Sequence, residues 1–271
     1  VGTFGSLLPS FLTTGNLAAG FFAIVKASTG DPLTASYAIF IAAIFDILDG
    51  RAARMTGSES RFGAEYDSIA DTVSFGVAPA VIAFHSGGLG ELNWAGWVMA
   101  FVYTACASLR LARFNVTAGR YLDRFDGLPT PAAAGMVVST VWFGGFLAAN
   151  GLDLPPAPRL TAVALVLLAV LMVSPIPYRS FKEVNVRGSY SATVLMVIIT
   201  LILIVEPGLN FFLIGLAYVL SGPIGWWWRR RTGGLLETRP EAGTDSSKVD
   251  SSPAGSEKDG KGAGESEEVE R

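Results

Sequence analysis

Eight apolar stretches, each near the ~20 residues needed to cross the hydrocarbon core of a bilayer, leave this 271-residue chain few folds to choose from. They run roughly over residues 7–27, 33–50, 64–85, 93–113, 130–149, 160–178, 190–206 and 208–227. A chain inside lipid must satisfy its own backbone groups, and runs of this length do so as helices. The expected fold is an all-α integral membrane protein with about eight transmembrane helices. Composition agrees: 51% of the residues are hydrophobic and 16% charged, and with the 31 glycines the apolar share reaches about 62%. Soluble domains counted the same way hold about 45–50%.

The connections orient the spans. Those after even-numbered spans carry Arg51, Arg54, Arg61, Arg110, Arg113, Arg120, Arg124, Arg179, Lys182, Arg187 and Arg229 to Arg231; those after odd-numbered spans carry Lys26 and Arg159. Positive charge collects on the cytoplasmic side, so both termini are expected there, in a multi-pass cell-membrane protein. Trp226, Trp227 and Trp228, just before the last arginines, read as an interfacial anchor. The first apolar stretch reads as a retained helix rather than a cleaved signal. From Thr232 onward the chain turns to Ser, Gly, Glu, Asp and Lys, with ten acids against five bases. Such a segment buries too little apolar surface to fold. The expected organisation is a membrane domain over 1–231 and a disordered acidic cytoplasmic tail over 232–271. Cys106, the single cysteine, excludes an intrachain disulfide and reads as inert packing. His85, the single histidine, falls at the outer end of the third span, far from any charged cluster, which argues against histidine-based chemistry.

The polar exceptions within the apolar body are four aspartates in FDILDGRAARMTGSESRFGAEYDSIAD. Asp46 and Asp49 are three apart and Asp67 and Asp71 four apart, so each pair shares one helix face. The second span is expected to run inward and end near the first pair. The third starts near Gly63 and carries the second pair in its first turns. Four carboxylates at membrane depth are costly unless a cation holds them, and hard oxygen ligands suit magnesium, manganese or calcium. Helix caps and salt bridges to nearby arginines are the competing explanation. That explanation serves for one aspartate, such as Asp67 in a first turn, but not for four on two facing helices. Gly50 and Gly63 allow close approach of a ligand to the backbone. Ala53 keeps the surface small, and Arg54 offers a planar fork suited to phosphate. Together they describe a site for a phosphorylated ligand.

The string Asp46-x2-Asp49-Gly50-x2-Ala53-Arg54-x8-Gly63-x3-Asp67-x3-Asp71 resembles the complete signature of the CDP-alcohol phosphotransferases. Further stretches are similar to the membrane-embedded bacterial phosphatidylserine synthases within that family. They are Thr14 to Leu17, Asp71 to Ala80, Arg110 to Asn115, Gly127 to Ala133 and Pro177 to Lys182. The resemblance implies that CDP-diacylglycerol and L-serine give phosphatidylserine and CMP, in phospholipid biosynthesis, on one or two Mg2+ or Mn2+ ions. It assigns Asp46, Asp49, Asp67 and Asp71 to the metal and Asp71 to proton abstraction. Gly50, Ala53, Arg54 and Gly63 would shape the CDP and phosphate pocket, and a homodimer is implied.

Other positions stay open at this level. Arg110, Arg113 and Asn115 cluster at the inner end of the fourth span. They suit a serine carboxylate or a lipid phosphate, or follow from the positive-inside rule alone. Asn16 in an apolar run requires a polar partner, either another helix or the nucleotide. The Gly127-Leu128-Pro129-Thr130-Pro131 turn serves a helix start or a substrate contact. Competing functions are the same chemistry on glycerol 3-phosphate or inositol phosphate, an ether-lipid archaetidylserine synthase, a catalytically dead relative, and a divalent-cation transporter. A transport site belongs near the midplane, whereas these carboxylates lie toward one face. No Ser-His or Cys-His pair near the site suggests a covalent intermediate.

Overall fold

The computed structural model describes residues 4–58, 60–117, 125–152, 154–178 and 205–231. All of them fall in a compact unit spanning Val1–Gly233. The elements are α1 (Phe4–Ser28), α2 (Pro32–Thr56), α3 (Arg61–Asp71), a π-helical segment (Thr72–Val77), α4 (Ala78–Ser86), a 3-10 turn (Leu89–Leu92) and α5 (Trp94–Thr117). They continue with β1 (Phe125–Asp126), α6 (Thr130–Ala149), α7 (Pro158–Val173), β2 (Pro177–Tyr178) and α8 (Pro207–Arg231). Six helical spans among the described residues are long and apolar enough to cross a membrane, the third of them running unbroken through α3, the π segment and α4. The expected span at 190–206 lies outside the described residues except for its last two, and so do Arg120, Arg124, Arg179, Lys182 and Arg187 and the tail from Thr232.

The surface is the inverse of a soluble protein's. Phe11, Phe21, Phe101, Leu160, Leu167 and Trp94 are all exposed. The interior is packed by Ala23, Ala35, Ala42, Ala78, Ala107 and Ala133, each at most 1% exposed. Small residues let helix backbones approach where lipid removes the hydrophobic drive for association. On this packing α1 lies along α2, α5 along α7 and α6 along α8. An aromatic knot closes α8 onto the bundle: Trp142 stands 5.3 Å from Tyr37 and 5.4 Å from Phe211, and Phe143 stacks on Phe212 at 4.4 Å. At the end of α8, Arg230 and Arg231 lie over the rings of Trp226 and Trp227, which fits the interfacial anchor.

Three features differ from the sequence expectation, two of them span ends. The second span continues past Gly50 to Thr56, so Arg51 and Arg54 are helical rather than in the connection. Nothing in Arg51-Ala52-Ala53-Arg54-Met55 breaks a helix, and the stop is Gly57, in the left-handed conformation (φ 59°) with its N–H on the Ala53 carbonyl. The helix begins at a cap: Asp31 accepts from Thr34 N at 3.1 Å. These bonds and the charge of Lys26 hold the Asp31 carboxyl below the usual range. The sixth span ends at Val173 rather than 178, because Pro175 and Pro177 cannot continue it. Its 16 residues make about 24 Å of helix. The chain then runs extended into β2, which pairs antiparallel with β1, Phe125 opposite Tyr178.

The third difference matters most for the site. The third span is not a plain α-helix but widens to π geometry immediately after Asp71. Pro79 lacks an N–H, so the Phe75 carbonyl one turn back loses its usual helical donor. Tyr103 of α5, fully buried, donates its hydroxyl to that carbonyl at 3.2 Å, and Thr104 donates to the Gly76 carbonyl at 3.3 Å. The widened turn is thus satisfied from α5, as membrane depth requires.

Candidate functional site

α3 starts where Ser60 caps it, accepting from Gly63 N at 3.0 Å. A side chain at Gly63 would bring its Cβ to 3.1 Å from the Ser60 hydroxyl. The glycine therefore has a capping reason to be there, beside any ligand approach. From this start Asp67 and Asp71 project four residues apart toward α2, whose Asp46 and Asp49 lie three apart. The result is a cluster: carboxylate oxygens of Asp46, Asp49 and Asp67 all lie within 4.8 Å of one another. Asp49 is 4% exposed, and Asp46 and Asp67 are half-buried.

Two like charges 4.8 Å apart repel by about 3.5 kcal/mol at an effective dielectric of about 20. Among the described residues the ion pair is Lys26–Asp31, and none of the four aspartates joins one. That removes salt bridging to nearby arginines as the explanation of the cluster. Asp49 Oδ2 and Asp67 Oδ1 are buried and take no hydrogen bond. Buried polar atoms rarely stay unpaired. Hard, anionic, unpaired oxygens converging from two helices fit a divalent cation, with Asp46, Asp49 and Asp67 as its ligands.

Asp71 stands beside this cluster, 7% exposed, under a different restraint. Asn16 of α1, fully buried, donates its amide Nδ2 to Asp71 Oδ1 at 2.9 Å. The polar partner that Asn16 requires is therefore the last signature aspartate. Thr13, on the same face of α1, faces the Asp49 carboxylate. One turn beyond Asn16, Gly20 lies against Ser74 closely enough that a Cβ there would come 2.7 Å from the Ser74 Cα. Ser74 in turn donates to the Asn16 carbonyl at 3.0 Å. Thr13, Gly20 and Ser74 were not singled out from sequence; the spacing Thr13-x2-Asn16-x3-Gly20 on one helix face was the available signal.

Gly50 and Arg54 share a face of α2, where a Cβ at 50 would meet the Arg54 guanidinium at 3.5 Å. Ala53 adjoins them, partly buried, and Arg54 itself is exposed. The three candidates on α5 separate. Arg110 is 8% exposed, donates to Thr130 Oγ1 of α6 at 3.2 Å, and keeps a buried, unpaired Nε. It lies within electrostatic reach of Asp71 and of Tyr218 on α8. Arg113 turns to the Val173 carbonyl at 3.3 Å, at the end of α7. Asn115 bonds α3, through Ser68 Oγ at 2.9 Å and Glu65 Oε2 at 3.3 Å. The Gly127 turn has a structural role: at φ 89° its N–H reaches the Ile176 carbonyl, and Leu128 N reaches the Leu171 carbonyl, both at 2.9 Å. Tyr178 donates to the Val219 carbonyl at 3.0 Å and tethers α8. His85 lies in the last turn of α4, about 21 Å along the helix axis from Asp71. Cys106 packs against the apolar core.

Spans of membrane length around a buried carboxylate cluster define a multi-pass membrane protein with a centre suited to a hard cation. The sequence matches the CDP-alcohol phosphatidyltransferase family over residues 6–174, and the chain belongs to that family. A Helicobacter pylori CDP-diacylglycerol–serine O-phosphatidyltransferase is 36% identical over 228 residues, which cover 81% of this chain and 91% of that protein. A Mycobacterium leprae protein of the same name is 35% identical, over 80% of this chain and 73% of its own. One from Bacillus subtilis is 35% identical over 176 residues, covering 65% of this chain and 92% of its own.

Proposed function

We propose that this chain transfers the phosphatidyl group of CDP-diacylglycerol to the hydroxyl of L-serine, giving phosphatidylserine and CMP. The observation that carries this reading is the pairing of a three-carboxylate cluster bearing unpaired oxygens with a fourth, separately held aspartate, on the helices of the family signature. Relatives named for this reaction supply the choice of acceptor.

Asp46, Asp49 and Asp67 would hold Mg2+ or Mn2+, with Asp71 completing the set if a second ion binds. A bound divalent ion supplies neutralisation of the phosphate charge and of the departing CMP. Arg54, exposed beside Gly50 and Ala53, takes a phosphate oxygen of the CDP group. Asp71 accepts the proton of the serine hydroxyl as that oxygen bonds to the lipid-linked phosphorus and the bond to the CMP oxygen breaks. A neutral hydroxyl is a weak nucleophile near pH 7, so a positioned carboxylate has work to do. Arg110, with its unpaired Nε in reach of Asp71, is the donor for the serine carboxylate. Arg113 and Asn115 hold the helices around it. The site faces the cytoplasm in the cell membrane, residues 1–231 carry the activity, and the chain works as a homodimer.

The test is CMP release by purified protein with CDP-diacylglycerol and Mg2+ or Mn2+, offering serine, glycerol 3-phosphate and inositol phosphate separately. Serine-dependent release abolished by EDTA is expected. Release with another alcohol alone would overturn the acceptor and keep the chemistry; release insensitive to EDTA would overturn the metal reading.

A further inference from the structure

We infer that Asn16 is a positioning residue for the reaction: it fixes the orientation of the Asp71 carboxylate through a bond made from a different helix. This rests on the proton-acceptor role given to Asp71 above. Asn16 has no exposed surface, so it acts through its neighbour rather than by touching the nucleotide. Its Nδ2 donates to Asp71 Oδ1 at 2.9 Å while its own Oδ1, buried, takes no partner. The amide orientation follows from that pair, since the flipped form would set an oxygen against the carboxylate.

The amide is itself immobilised. The Asn16 carbonyl accepts from Ser74, three residues beyond Asp71, and Gly20 lies against Ser74 with no room for a Cβ. Two bonds and one close backbone approach therefore clamp α1 to the widened turn that follows Asp71. With one lone pair of Oδ1 taken by Asn16, the second carboxylate oxygen is the more open of the two to receive a proton. An unclamped aspartate would sample other rotamers, and a small misplacement of a reacting group costs rate rather than affinity.

The experiment compares Asn16→Ala and Asn16→Leu with wild type in the serine-dependent CMP-release assay. Leu keeps the branched shape, at a somewhat larger volume, and lacks the amide, and thermal midpoints verify folding of each variant. A lost hydrogen bond to a charged group corresponds to about a 10- to 100-fold fall in kcat. The KM for CDP-diacylglycerol is expected to stay within about twofold, with Mn2+ binding retained. Adding Asn16→Leu to Asp71→Asn is expected to cause no further loss, because the two act as one unit. A folded Asn16 variant with kcat within twofold of wild type overturns the inference while a dead Asp71→Asn leaves the proton-acceptor reading standing. A raised KM with kcat kept would make Asn16 a nucleotide contact instead. Loss of Mn2+ binding in step with turnover would place it in the metal centre. If Asp71→Asn retains turnover, the proton-acceptor reading falls and this inference falls with it.

Discussion

Removing the Tyr103 hydroxyl tests whether the widened turn after Asp71 depends on α5. Tyr103→Phe keeps the ring, which is fully buried, and deletes the donor to the Phe75 carbonyl. That carbonyl lacks its ordinary α-helical donor because residue 79 is proline. A buried acceptor left unpaired costs about 1–3 kcal/mol in soluble proteins, while side-chain bonds within membranes average about 0.6 and reach about 1.7 kcal/mol. Taking about 1 kcal/mol, the thermal midpoint of a domain this size should fall by about 2–4 °C, read at one scan rate in one detergent. The decisive arm is Pro79→Ala, which returns an N–H one turn from Phe75. In that background Tyr103→Phe should cost less than half as much. Equal midpoints for Tyr103→Phe and wild type would refute the reasoning, and so would an undiminished loss in the Pro79→Ala background.

Asp46→Ala should weaken Mn2+ and CDP-diacylglycerol binding together, and unchanged metal dependence of turnover would contradict a ligand role. Gly127→Ala forces a Cβ into a left-handed position, costing about 1–2 kcal/mol, and against the Met172 carbonyl, adding about 1–3 kcal/mol of overpacking. Poor folding is expected, and a normal thermal midpoint would show that the turn is not the reason for that glycine. Truncation after Gly233 should leave specific activity near wild type, and a dead truncation would give the acidic tail a role in the reaction.

The spans were legible because lipid solvation is a local property: a run of apolar residues reports it without knowledge of its neighbours. The candidate metal centre was legible for a similar reason, since spacings of three and four set Asp46 with Asp49 and Asp67 with Asp71 on helix faces before any packing is known. Termination was legible only in part. Gly57 stops α2 and Pro175 closes off α7, where the apolar pattern set those ends near residues 50 and 178; helix propensity carried Arg51 and Arg54 into the helix where charge alone assigned them to a connection. Arg110, Arg113 and Asn115 look alike as a polar cluster but reach three different elements, because helical rotation separates residues that adjoin in sequence. Which partner each meets depends on how α5 is turned against α3, α6 and α7.

Local order in the chain thus determined the membrane class, the helices and the four carboxylates with their family signature. Tertiary structure decided which partner Asn16 bonds, that a π turn follows Asp71, and that Tyr103 donates to a carbonyl of that turn. The reason is range: Asn16 and Asp71 are 55 residues apart. Their meeting is set by the close approach of two helices at Gly20 and Ser74, which no periodicity along one helix records.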